Sequence, residues 1–301
     1  MPVTRKRWEI APPVPSSVLE RFPELSPLLV QVLYNRGLYD PLEVKAFLTG
    51  QGPPDSALSG GDPFTMRDMD RAVDVIVRAI RRADPIAIYG DFDADGVTST
   101  ALLVQTLTGL GADVRAYIPN RVDEGYGLNL RALAKLYKEG VRLVVTVDCG
   151  IRAVHEVDQA RRLLELVITD HHTVGPELPF ALAVIDPKRE DCSYPFKTLA
   201  GVGVAFKLAW AIAQSFSPTR KVTEEFRAFL LDALALVSLG TVADVVPLLD
   251  ENRIFVKYGL KALENTTRPG LRALMEKTNL AGRRLRCVDI AFRMGPRLNA
   301  A

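Results

Sequence analysis

Three short polar clusters stand out: Asp91-Phe92-Asp93-Ala94-Asp95-Gly96, Asp148-Cys149-Gly150 and Asp170-His171-His172. Each directly follows a short apolar run, so each marks the end of a candidate strand. Carboxylates gathered at one place repel one another and raise their own pKa values unless cations neutralise them. Divalent metal ions are the simplest resolution. Mixed Asp/His ligation suits manganese, zinc, iron or magnesium, and the absence of cysteine ligands argues against a structural zinc.

The elements that must position these residues can be read from the texture of the chain. Apolar runs 86–89, 114–118, 143–147, 166–169 and 181–185 read as strands, and helical patterns at Met66–Arg82, from about Val97, at 129–139 and near 152–164 separate them. Continuously apolar strands alternating with helices predict an α/β fold with a parallel sheet covered on both faces. In such a sheet ligands gather beyond the carboxyl ends of the strands, which is where the acids and histidines fall. Taken singly, acids at strand ends are usually helix caps or solvated loop residues. Three of them converging on one edge favour a metal site.

Residues 1–62 read as a small helical cap with patterns at 27–33 and 42–48, followed by the Gly/Pro/Ser-rich connector 50–63. A catalytic domain over 63–250 and a helical connector over 251–301 complete the expected organisation, with helix alone after Gly201. There is no internal repeat and no low-complexity tract.

Composition narrows the classes. In 301 residues, 48% hydrophobic side chains suffice for a buried core. No apolar run approaches the roughly 18 residues of a membrane span, and charge and proline follow the N-terminus where a signal peptide would be apolar. The expected location is the cytoplasm, away from any membrane. Cys149, Cys192 and Cys287 form neither a disulfide framework nor a CxxC site, so reduced thiols are expected. A net charge of +2 does not by itself announce a nucleic-acid binder. The stretch Asp91–Gly96 also matches the first half of an EF-hand loop, but Leu102 stands where that loop needs Glu, and a strand precedes it instead of a helix. No P-loop or HExxH motif is present. Gly201-Val202-Gly203 lacks the third glycine of a dinucleotide fingerprint and reads as a tight helix-entry turn.

In this order, Tyr89–Gly96, Asp148–Gly150, Asp170–His172 and Gly240–Leu248 resemble the DHH phosphoesterase superfamily. Ile118–Arg121 with Glu124–Leu128, Gly201–Lys207 and Pro296–Ala301 are similar to its RecJ branch, and the likeness covers nearly the whole chain. The resemblance implies a metal-dependent hydrolase: a two-metal exonuclease degrading single-stranded DNA from its 5′ end, in DNA repair and recombination, with two divalent ions, manganese or magnesium. It makes Asp93, Asp95, Asp148, His171 and Asp244 the metal ligands, with Asp148 bridging. His172 would touch the scissile phosphate or complete a metal shell, and Asp91 would join the ligands or order the loop. The nucleic-acid contacts it implies are Arg121 at a 5′ phosphate, Tyr126 stacking on a base, and Arg297 and Asn299 along the strand.

Single-strand binding needs cationic contacts and stacking aromatics, which Arg121 and Tyr126 could supply, although a surface salt bridge and a loop anchor are their plain alternatives. Arg283-Arg284-Leu285-Arg286 reads as a solvated face or a track for a DNA backbone. His155 is expected to be merely exposed. The resemblance further implies a monomer working with a single-strand-binding protein and a helicase, and a chain that stops short of a second domain. Rival expectations are a DHH phosphodiesterase of short oligonucleotides or cyclic dinucleotides, and a non-catalytic scaffold of the same fold.

Overall fold

The structure, a computed structural model, describes residues 9–50, 61–217, 219 and 221–300. Most of the connector 50–63, and Ala301 at the end of the Pro296–Ala301 segment, lie outside the described residues. The chain divides into two compact units, Met1–Gly52 and Pro53–Ala301.

The first unit holds α1 (Ser16–Leu19), α2 (Pro27–Tyr34) and α3 (Pro41–Thr49). Both longer helices open with proline at the first turn behind a polar cap. Ser26 accepts the N–H of Leu29 at 3.3 Å, and Asp40 accepts those of Leu42 and Glu43 at 2.8 and 3.1 Å. Proline tolerates this position because its missing N–H would be unpaired there in any case. Val18, Phe22, Val30, Leu33 and Val44 make this unit's own small core.

The second unit is built on a five-stranded sheet of order β2-β1-β3-β4-β5, parallel throughout. Its strands are β1 (Ile86–Gly90), β2 (Val114–Tyr117), β3 (Leu143–Val147), β4 (Glu165–Thr169) and β5 (Ala183–Ile185). The intervening helices are α4 (Met69–Arg82), α5 (Ala94–Gly109), α6 (Leu130–Lys138) and α7 (Val154–Ala160). The unbroken apolar runs divide by strand periodicity between two cores. Ile86, Ile88, Val145, Val147 and Ile185 face a large core shared with α4 and α5. Ala87, Tyr89, Val144, Ile168 and Val184 face a smaller one with α6 and α7.

After the sheet the chain is helical among the described residues: α8 (Gly201–Ser215), α9 (Glu224–Ala243), α10 (Asp250–Glu264), α11 (Pro269–Lys277), α12 (Cys287–Asp289) and α13 (Gly295–Asn299). A π-turn over Ile290–Met294 separates the last two. Helices α8 and α9 pack on α5, and α10 packs along α9.

Local chemistry displaced two expected boundaries. The helix expected from Met66 begins at Met69, because Asp68 adopts φ 64° and breaks the turn before it. The helix expected from about Val97 begins at Ala94, because Asp93 caps it, accepting from Asp95 N and Gly96 N at 2.9 Å each. The expectation about apolar length also needs correction: α9 is long and apolar enough, by length and composition, to cross a membrane. Its apolar side chains are instead largely buried, Leu230, Leu234, Val237 and Leu239 among them, and belong to the large core. All three cysteines are free thiols, as expected.

The contact of α9 with α10 depends on Gly259, where an added Cβ would strike the carbonyl oxygen of Leu234 and the side chain of Ser238. Gly259→Ala should therefore destabilise the chain by roughly 1–3 kcal/mol, the usual cost of overpacking. Urea unfolding measures it, and an unchanged midpoint would show that the two helices separate freely.

Candidate metal centre

The sheet order reverses between β1 and β3, and that switch point opens a crevice at the carboxyl ends of the two strands. Gly90 pairs with Val147, so the segment beginning at Asp91 and the residue Asp148 leave the sheet side by side. β4 delivers Asp170, His171 and His172 next to them, and Asp244 arrives from the C-terminal end of α9. The structure thus brings together six residues expected from the sequence: Asp93, Asp95, Asp148, His171, His172 and Asp244. Asp91 is gathered with them. Three overlapping groups could each hold a cation: Asp91, Asp93 and Asp148; Asp148, His171 and His172; and Asp95, His171 and Asp244, the ligand atoms of each lying within 4.8 Å of one another.

Each side chain is aimed by a distinct device. Asp95 is fully enclosed, its two oxygens accepting Gly201 N at 2.7 Å and Val202 N at 2.9 Å, the first free N–H groups of α8. Asp148 sits at φ 59°, a left-handed conformation that a non-glycine residue adopts only under constraint. Its carboxylate lies against Gly201, where an added Cβ would come within 2.6 Å of Oδ1. Val245, just after Asp244, sits at φ 62°, strained for a β-branched residue.

His171 Nδ1 lies 3.0 Å from the carbonyl of Leu199, which can only accept, so the proton is on Nδ1 and the lone pair on Nε2. That Nε2 is 3.0 Å from Asp148 Oδ1, 3.7 Å from Asp244 Oδ2 and 3.8 Å from Asp95 Oδ2. Burial first, then the neighbouring His172, lowers the His171 pKa to about 4, so the ring is neutral at pH 7. Nε2 and Asp148 Oδ1 are both buried and, among the described residues, have no hydrogen-bond partner. Two acceptors facing each other at this distance repel unless a cation lies between them, and His171 donating its other N–H to a carbonyl is the usual arrangement of a metal-ligating imidazole. The donor set therefore fits divalent metal.

The carboxylates report the same crowding. Burial, reinforced by Asp93, lifts Asp91 and Asp244 to about 6. Burial, with Asp244 acting on Asp95 and Asp95 acting on Asp148, lifts both of those well above the ordinary range. Asp170 goes the other way: burial opposes its charge, but the hydrogen bond from His172 Nδ1 at 2.7 Å and backbone N–H groups of Ile151 and His172 hold it low. The same bond raises the pKa of His172, whose side chain is 42% exposed and so faces out of the cluster.

Arg121 and Tyr126 lie on the loop after β2 and meet at Phe92, between Asp91 and Asp93. The Arg121 guanidinium sits 4.9 Å above the Phe92 ring, and the Tyr126 ring is 6.3 Å from both Phe92 and His172. Tyr117 anchors the loop by donating to Glu124 at 2.5 Å, and Tyr89 does so by donating to the carbonyl of Gly127 at 2.9 Å. Asn299 Oδ1 accepts the N–H of Ala94 at 2.7 Å, tying the C-terminal helix to the ligand loop. Arg297 is exposed on α13 and donates to the carbonyl of Arg293. His155 is exposed on α7, as expected.

Asp170, read from the sequence only as part of its cluster, orients His172, and two further residues escaped the sequence reading. Asp186, buried after β5, has no partner for Oδ2 among the described residues, and burial lifts its pKa to about 7. Lys188 follows it. The signal was available, since Asp186 ends the apolar run 181–185 just as the other acids end theirs.

The chain belongs to the DHH family, whose N-terminal domain matches residues 85–238. It is 42% identical over 303 residues to the single-stranded-DNA-specific exonuclease RecJ of Bacillus subtilis, and 41% identical over 286 residues to that of Escherichia coli. These matches cover 100% and 92% of this chain but 36% and 48% of those proteins, so it spans only a third to a half of their length. Among solved structures it resembles RecJ of Thermus thermophilus in complex with Mn2+, with a TM-score of 0.76 and 31% identity over 98% of this chain and 40% of that one. An exonuclease RecJ bound to manganese matches with a TM-score of 0.68 and 36% identity, over 78% of this chain and 57% of that one.

Without metal, the crowded acids make stability fall as pH rises. Asp91, Asp244 and Asp186 have folded pKa values of about 6 to 7, above the unfolded value of about 3.9, so their ionisation opposes folding above those values and the penalty vanishes below pH 4. Asp95 and Asp148 act in the same direction. His171, with its pKa depressed, opposes them between about pH 4 and 6.5, one group against five. In EDTA the chain should be more stable at pH 5 than at pH 7.5, by on the order of a few kcal/mol. Denaturant unfolding at the two pH values checks this, and greater stability at pH 7.5 would contradict it.

Proposed function

We propose that this chain carries the metal-dependent catalytic site of an exonuclease that hydrolyses single-stranded DNA in the 5′ to 3′ direction, using two divalent cations, manganese or magnesium. The observation that carries the reading is the pair of opposed acceptors, His171 Nε2 and Asp148 Oδ1, enclosed by further carboxylates. The names and bound metals of the relatives support it.

In this reading Asp93, Asp95, Asp148, His171 and Asp244 hold the ions, and Asp91 and His172 complete the set. Asp148 belongs to two of the three overlapping groups, which suits a bridging ligand. Bound there, the ions would lower the pKa of an attacking water and offset charge on the phosphoryl group. The chain's own residues do the rest. The Leu199 carbonyl holds the proton of His171 at Nδ1, leaving Nε2 as a ligand. Asp170 orients His172 and favours its charged form, in which the outer N–H can donate to a phosphoryl oxygen.

Arg121 would meet a 5′ phosphate and Tyr126 would stack on a base, with Arg297 and Asn299 along the strand. Their support is the convergence of the first two on Phe92 and the bond of Asn299 to the ligand loop. Roles in repair and recombination, a single-strand-binding protein and a helicase as partners, a monomeric state and a cytoplasmic location belong to the same proposal.

Asp148→Ala should lower hydrolysis of a 5′-phosphorylated strand at saturating manganese by more than the roughly 100-fold that losing a hydrogen-bond partner of a metal ligand costs, with the circular dichroism spectrum unchanged. Retained activity would remove Asp148 from the centre. The unsubstituted chain should cut a long strand in preference to a dinucleotide, and cleavage of the dinucleotide alone would replace the exonuclease by a short-oligonucleotide phosphodiesterase.

A further inference from the structure

A rigid turn at the end of β5 presents one free ammonium group beside the acidic cluster. Asp186 Oδ1 accepts the N–H of Lys188 at 2.7 Å, closing the turn from one side. Arg189 locks it from the other: its buried guanidinium bonds the carbonyl of Val184, Asp68 Oδ2 at 2.9 Å, and Asp191 at both oxygens, at 2.9 and 2.7 Å. Asp68 itself is held at φ 64° to reach this position. The backbone of Lys188 is therefore fixed on both sides. Its side chain is exposed and, among the described residues, makes no hydrogen bond or ion pair.

The location of this ammonium makes it more than a surface lysine. Asp170 N bonds the carbonyl of Ile185 at 3.0 Å, so the turn stands directly beside the Asp170-His171-His172 segment. The charge of Lys188 bears on His171, His172, Asp244 and Asp186 alike. Arg121, the other cation identified at the rim, lies over Phe92 beyond β1, near the opposite edge of the sheet. A centre holding Asp91, Asp93, Asp95, Asp148, Asp170, Asp186 and Asp244 has more acidic groups than two divalent ions can neutralise. A polyanion approaching it needs cations at the rim.

We propose that Lys188, presented by the turn at Asp186–Lys188, is a phosphate-binding residue for single-stranded nucleic acid at this centre, contacting the backbone on the β5 side. The inference rests on the reading above and adds a residue to it. Asp186 acts through Lys188 and is a positioning residue.

The test is binding of a labelled 5′-phosphorylated oligodeoxythymidine with phosphorothioate linkages that resist hydrolysis, followed by fluorescence anisotropy over a range of salt. Lys188→Gln should weaken binding about tenfold, the scale of one charge-assisted contact. It should also make the slope of log K against log salt shallower by about 0.7, the value of one phosphate on a single strand. Lys188→Arg should retain both. Lys138→Gln, which removes an exposed charge at the end of α6, serves as control and should change neither. Asp186→Ala should weaken binding, Asp186→Asn should restore it by keeping the oxygen acceptor, and Asp186→Ala should add nothing in the Lys188→Gln background.

A slope for Lys188→Gln equal to that of the unsubstituted chain, or equal shifts for Lys188→Gln and Lys138→Gln, would overturn the proposal and leave the exonuclease reading standing. Failure of the unsubstituted chain to bind or cut any strand would overturn that reading, and this inference with it.

Discussion

Everything in the second unit is arranged around one electrostatic problem: acceptors that repel one another are held face to face in a buried crevice. The lone pair of His171 and an oxygen of Asp148 face each other at 3.0 Å, and neither atom has a hydrogen-bond partner among the described residues. Nothing local holds such a contact. It persists because a five-stranded parallel sheet, packed on both faces, fixes the ends of β1, β3 and β4 more firmly than the repulsion can displace them. The same rigidity supports left-handed backbone at Asp148 and Val245, each costing on the order of 1–3 kcal/mol.

The protein softens this problem without removing it. The N-terminus of α8 gives two N–H groups to Asp95, and that of α5 gives two to Asp93, so helix ends with partial positive charge face the acids. Asp170 takes three backbone N–H groups and the ring of His172. Asp148 receives no comparable help at Oδ1. That leaves Asp148, between His171 and the other acids, with acceptor capacity suited to a cation. Asp244 adds to the demand, since it lies at the C-terminal end of α9, where the helix dipole is already negative.

Around this centre the chain builds a rim of different character. The loop after β2 is anchored by tyrosines and brings an arginine and an aromatic ring to Phe92, while the turn after β5 brings a lysine to the other side. Loops can carry such groups with precision only when their backbones are tied down, and here hydrogen bonds to sheet residues and buried ion pairs do the tying. The centre therefore joins a negative interior suited to metal with a partly cationic edge suited to phosphate.

Much of this was legible in the chain itself, for a definable reason. Three apolar runs end in clusters of acids and histidines, and parallel-sheet geometry requires such ends to share one edge, so the strands and the gathering of Asp93, Asp95, Asp148 and His171 followed from local pattern. Helix starts were less legible, because the cap by Asp93 and the break at Asp68 depend on backbone angles that periodicity does not encode. Other features belong to the tertiary structure alone: which nitrogen of His171 carries its proton, that Gly201 clears space for Asp148, that Asp170 aims His172, and that Asp186 and Arg189 present Lys188. Each is a contact between residues distant in the chain or a choice between nearly equal local states. Only the packed sheet brings such partners within a few ångströms and so decides between them.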